Sequence, residues 1–200
     1  MQHHESMKLV SKITAAGFVL SFLLNCTAPF FPVDMSQNPP YYPKIVLILQ
    51  SLAVALVIFS STLMGLKLTE EKKTLAAAGF TMYAIANGIS LVIYFEIRQF
   101  TIEEYEKVYD IFTSATALIV PSCLLLAFYE DFPRWLSYLP LFSCIFYIAP
   151  LVMYYGGSRE YSLMDVISFI GYMLLNIAAL FWAIYIWKSA GKVSEHDKPK

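Results

Sequence analysis

Two asparagines stand in otherwise apolar stretches, Asn87 in "GFTMYAIANGISLVIYF" and Asn176 in "FIGYMLLNIAALFW". Each follows a tyrosine by four residues, Tyr83 and Tyr172. The spacing extends further: Gly79, Tyr83, Asn87, Ser90 and Tyr94 recur every three or four positions, as do Asp165, Ser168, Tyr172, Asn176, Ala179 and Ala183. Residues so spaced share one face of a helix. Carboxamides, phenols and hydroxyls donate and accept hydrogen bonds without titrating near neutral pH. An amide deep in hydrocarbon is costly to leave facing lipid, so both asparagines are expected to point inward. Two outcomes follow. They hydrogen-bond between helices, as packing glue beside the small residues Ala84, Gly88 and Ala179, or they line a polar pocket. The pocket reading makes Tyr83, Asn87, Ser90, Tyr94, Tyr172 and Asn176 the candidate ligand-binding set, with Glu96 and Asp165 at its outer rim.

Other chemistry finds few residues to use. The three histidines, His3, His4 and His196, lie in the two tails, and no lysine interrupts an apolar stretch. Bis-histidine haem ligation, an intramembrane zinc site and a retinal Schiff base are therefore not expected. Cys26, Cys123 and Cys144 form no CxxC pair and read as small apolar fillers. Neither a phosphate-cradling glycine loop nor GxSxG is present. No cofactor, metal or catalytic residue is predicted. An enzyme would have to draw on Glu96, Asp110, Asp165, or Glu130 with Asp131, aided only by tyrosines.

The elements that position these residues are legible in the charge pattern. Of 200 residues, 58% are hydrophobic and 14% charged, against about 25% charged in a typical soluble domain. Six stretches contain no Asp, Glu, Lys or Arg: 13–33, 45–66, 74–95, 111–129, 135–158 and 166–187. Each approaches the ~20 residues a helix needs to cross ~30 Å of hydrocarbon. The sequence thus predicts an all-α, multi-pass membrane protein in one integral domain, a bundle of six helices over 9–31, 45–66, 74–96, 109–129, 135–155 and 164–187. A polar cytoplasmic tail follows at 188–200. Ten of the fourteen basic residues fall on the N-terminal side of the alternating loops. This places both termini in the cytoplasm, across a plasma or inner membrane. Tyr41, Tyr42, Tyr94, Phe95, Tyr105, Tyr109, Tyr154 and Tyr155 would form one interfacial belt, and Tyr129, Trp135, Tyr185 and Trp187 the other.

The first span begins like a secretory signal, "MKLVSKITAAGFVLSFLLNC", but its apolar run continues through "TAPFFPV", and it is expected to stay as a membrane span. Asn25-Cys26-Thr27 fits a glycosylation pattern but lies too near the membrane to serve. Thr69 ahead of Glu70 and Glu71 reads as the cap of the third helix. Thr101-Ile-Glu-Glu104 reads as a capping box for the fourth, and Ser162-Leu-Met-Asp165 as one for the sixth. Four prolines in "PVDMSQNPPYYP" exclude a regular helix there and suggest a stiff crossing, either lid or connector. Pro121, Pro140 and Pro150 fall inside spans. Phe80, Tyr83 and Asn87 are echoed 89 residues later by Phe169, Tyr172 and Asn176, as a three-plus-three inverted repeat would require. In "YFEIRQF", Glu96 and Arg98 are two apart and would not face each other on a helix, so the stretch marks the end of the third span.

Three functional classes fit this frame. The first is a small-molecule binder or transporter with a mid-membrane polar and aromatic site, flexing at Pro121 and Pro140. The second is a non-catalytic interaction, assembly or regulatory protein. The third is a lipid-modifying enzyme. The expected partners are the lipid bilayer and a small-molecule or lipid ligand, not nucleic acid.

Overall fold

The computed structural model describes residues 2–27, 30–96, 101–130 and 132–196, with side chains from Glu5 to Lys188. It contains six helices: α1 (Gln2–Thr27), α2 (Lys44–Glu70), α3 (Thr74–Glu96), α4 (Ile102–Ala127), α5 (Arg134–Tyr155) and α6 (Tyr161–His196). All six are long and apolar enough to cross a membrane. The flanks of the bundle are apolar, unlike the surface of a soluble protein, and polar side chains are found in its interior. Leu20, Leu52, Phe59, Ile85, Leu124, Phe142 and Val152 are exposed on its flanks, while Ser21, Asn25, Ser60, Asn87, Ser143 and Asn176 are buried. Water would penalise that outer surface, and hydrocarbon does not. The chain is an integral multi-pass membrane protein.

Each helix packs against its neighbours in chain order, and α6 returns to α1, so the bundle is a closed ring. One end carries the termini and the α2–α3 and α4–α5 turns. The other, here the loop end, carries the 30–43 connection and the α5–α6 turn. Trp182 fills the interior toward the termini end. Its indole meets Phe18 of α1 and Phe80 and Tyr83 of α3 edge-on, and stacks on Phe132, with centroids 5.2–6.2 Å away. Small residues let neighbouring helices approach. At Gly171 an added Cβ would lie 2.9 Å from the Cβ of Phe146, an atom that cannot move without the α5 backbone.

Several boundaries differ from the sequence expectations. Thr69 does not cap α3: it lies in the last turn of α2, where its hydroxyl donates to the Gly65 carbonyl at 2.9 Å. The chain then reverses through Lys72 at φ 61°. Lys73 N–H reaches Leu68 O at 2.9 Å and Lys72 N–H reaches Thr69 O at 3.1 Å. That pair of bonds is a Schellman closure, and it satisfies carbonyls that a longer loop would leave open. Gly157, at φ 90°, closes α5 in the same way. Thr101 is the N-cap of α4 as expected, with Glu104 N–H donating to Thr101 Oγ1 at 3.3 Å. α6 begins before Ser162 and continues as helix through the expected polar tail to His196. The helices run unbroken past Pro121, Pro140 and Pro150. Ser143 and Cys144 both hydrogen-bond the Pro140 carbonyl.

Gly171→Ala should lower thermal stability in detergent by about 1–3 kcal/mol through overpacking against Phe146. Gly88→Ala, where a Cβ meets nothing within 4 Å, should be neutral or stabilise by about 0.5 kcal/mol. Equal shifts for the two variants would contradict the close α5–α6 approach.

Candidate functional site

The two asparagines make the same local bond and then part company. Asn87 Nδ2 donates to Tyr83 O and Asn176 Nδ2 to Tyr172 O, each at 2.8 Å. The echo between the two stretches therefore extends to their side-chain geometry. Asn176 also accepts from Asn25 Nδ2 at 2.8 Å, and Asn25 Oδ1 accepts the Tyr172 hydroxyl at 3.0 Å. These three residues, with the Tyr172 carbonyl as one link, form a closed circuit between α1 and α6. Asn25 is buried within it, which leaves no free carboxamide for glycosylation. Sequence reading missed Asn25 as a partner because "NCT" drew attention to processing. The available signal was an amide ending a long apolar run, with the same desolvation cost as the other two.

Asn87 instead faces a cavity of ≈170 Å³ inside the ring, toward the loop end. Its walls include Asn87, Ser90 and Tyr94 of α3, Tyr105, Tyr109 and Phe112 of α4, Tyr147 of α5, and Asp165, Ser168 and Tyr172 of α6. Leu47 and Gln50 of α2 and Tyr42 of the preceding loop complete it. Of the expected set, Asn87, Ser90, Tyr94, Tyr172 and Asp165 come together here. Tyr83 and Asn176 are buried nearby and are not among the lining residues. Glu96 is exposed at the last residue of α3, and Arg98 lies outside the described residues.

Asp165 is the charged residue among the described residues of this wall and is not a helix cap. Its Oδ2 accepts the Tyr42 hydroxyl at 3.1 Å and the Tyr105 hydroxyl at 3.3 Å, and its Oδ1 accepts Tyr109 at 3.4 Å. Burial, with the carboxylate alongside, holds the Tyr42 phenol well above its ordinary pKa, so it remains a donor. The Tyr105 hydroxyl also lies 3.2 Å from Pro40 O and has one hydrogen for two acceptors. Tyr105 and Tyr109 are almost fully buried, and both pack on Tyr161. Tyr109 also stacks on Tyr154.

The 30–43 connection is docked rather than free. Asp34 and Tyr41 exchange backbone hydrogen bonds at 3.0 and 3.1 Å. The Asp34 carboxylate accepts from Ser36 and Gln37, which holds its pKa below the usual carboxylate value. Asn38 then spans the α5–α6 turn: its Nδ2 donates to Arg159 O at 2.9 Å, and its Oδ1 accepts Tyr161 N–H at 3.1 Å. The start of α6 is thus capped from another part of the chain. Ser162, expected as that cap, donates to Gln37 O at 2.8 Å and ties the loop down instead. With Asn38 already holding the Tyr161 N–H, the capping-box spacing of Ser162 and Asp165 is not used.

A second cavity of ≈320 Å³ adjoins the first and shares Tyr42, Gln50, Asp165 and Phe169 with it. Phe31, Pro32, Val33 and Met35 of the loop and Val166 and Ile170 of α6 line the remainder. Several of these side chains are exposed on the lipid-facing flank. Among the described residues no group of three His, Cys, Asp or Glu side chains is placed to hold a metal ion. Cys123 of α4 and Cys144 of α5 are buried free thiols, and Cys144 donates to the Pro140 carbonyl within its own helix. Comparison with protein-family descriptions, curated proteins and solved structures gives no match for this chain.

Asn25→Ala should strand the Tyr172 hydroxyl and Asn176 Oδ1 and cost about 2 kcal/mol in thermal unfolding. Asn87→Ala removes only a bond within its own helix and should cost less than half as much. The reverse order would show that the α1–α6 circuit does not hold the bundle.

Proposed function

We propose that this protein binds a small molecule in the cavity between Asn87 and Asp165 and presents or transports it across the membrane. The observation that carries the reading is one chamber inside the helix ring with aromatic packing on one side. The cavity has polar groups from α3, α4 and α6, whereas the interior beyond it is filled by Trp182 and its ring neighbours. Pockets of this kind, largely apolar with a few convergent polar groups, are the usual form of small-molecule sites. Its volume is comparable to engineered apolar cavities of ~150 Å³ that admit one benzene ring. With the termini cytoplasmic, as the basic residues favour, the chamber faces the outer leaflet. On this reading, passage to the other side requires displacement of Trp182, whose packing closes the interior toward the termini end.

The packing-glue reading is supported at Asn176, whose bonds join α1 to α6. That role is internal to the chain and leaves the Asn87 cavity unexplained.

The test fills the chamber. Cyclohexanol, a neutral probe near the cavity's size, should raise the melting temperature of the purified protein in proportion to its occupancy. Ser90→Trp should retain the folded state and abolish that increment. Equal stabilisation of both proteins by cyclohexanol would sink the chamber as a binding site.

A further inference from the structure

Resting on the chamber reading, we infer that its ligand is an organic ammonium, recognised by Asp165 within an aromatic cage. Three features point to that charge and shape. First, Asp165 is surrounded by hydroxyl dipoles from Tyr42, Tyr105 and Tyr109, while among the described residues no Lys or Arg lines either of the two adjoining cavities. A carboxylate in a poorly solvated membrane site is costly without a counter-ion, and a cationic ligand would provide one. Second, the rest of the wall is rich in π faces. Tyr94, Tyr147, Tyr172, Phe112 and Phe169 join the three phenols around the same space. Aromatic faces attract a desolvated ammonium through their quadrupoles and suit methylated nitrogen in particular. Third, the donor set is wrong for the alternatives. One carboxylate with phenol oxygens falls short of the six to eight oxygens that a calcium ion takes. An anion or a phosphate group would meet Asp165 with no basic residue among the described lining residues to offset it.

The ammonium could come from a free amine or from the head of a single-chain amphiphile. In the second case the adjoining apolar cavity, with Val33, Val166 and Ile170 on its wall, would take the alkyl chain. The shared chemistry is the ammonium group, and the two sources differ in whether a tail adds affinity.

Titration calorimetry on the purified, detergent-solubilised full chain would compare choline with 3,3-dimethylbutan-1-ol, in which carbon replaces the charged nitrogen. Choline should bind at least about tenfold more tightly, the factor that corresponds to ~1.4 kcal/mol. Asp165→Asn should cut this preference to the few-fold that the aromatic faces alone supply, while leaving the weak binding of the alcohol. Should Asp165→Asn fail to fold, Tyr94→Leu removes a π face and keeps an apolar side chain. It should weaken choline about fivefold and the alcohol little. Hexyltrimethylammonium then assigns the source. A further gain of about tenfold, lost in Ile170→Asn, identifies an amphiphile, and affinity equal to that of choline identifies a free amine. Equal binding of choline and the alcohol would overturn the ammonium assignment and leave the chamber reading intact. Absence of binding by every probe, including cyclohexanol, would overturn both.

Discussion

A ring of six helices joined in chain order has one seam that no short connection enforces, where α6 meets α1. The five contacts between consecutive helices join elements adjacent in the chain. The sixth must be found by residues some 150 positions apart, and it is there that the polar circuit of Asn25, Tyr172 and Asn176 lies. Hydrocarbon offers these groups no water, so each carboxamide and phenol is better paired across the seam than exposed to lipid. Phe18 against Trp182 and Lys12 over the Trp187 ring add apolar and cationic contacts along the same boundary. Closure at this seam is what gives the bundle an interior, and an interior is what permits a chamber.

The chamber and the seam divide the polar residues between them. Asn87 and Asn176 occupy matching sequence contexts and make identical bonds to the tyrosine carbonyl one turn earlier. Only Asn176 finds a partner on another helix; Asn87 meets open space. The difference arises from α1, which brings Asn25 to one of them and has no counterpart beside the other. Packing glue and pocket are therefore not competing descriptions of the whole polar set. Each applies to one half of it.

Charge spacing makes the six spans legible in the sequence, because a membrane helix must exclude Asp, Glu, Lys and Arg over its length. The shared faces of α3 and α6 follow equally from their periodicity, and five of the eight expected site residues do surround one cavity. What the sequence could not display is pairing at a distance. Asp165 reads as a helix cap because Ser162 stands three residues before it, yet the N–H at the start of α6 is taken by Asn38 from 123 positions away. Thr69 reads as a cap because acidic residues follow, yet α2 ends in a Schellman turn that a lysine at positive φ completes. Local patterns of this kind state which bonds are possible, and tertiary proximity decides which are made.

The Tyr105 hydroxyl has one hydrogen and two claimants, the Pro40 carbonyl of the connection and the Asp165 carboxylate of the chamber. The connection meets that same carboxylate a second time, because the Tyr42 hydroxyl donates to it. One acidic side chain of α6 thus holds the 30–43 strap by one bond and competes with it for another, so the seating of the strap and the wall of the chamber belong to one hydrogen-bond network.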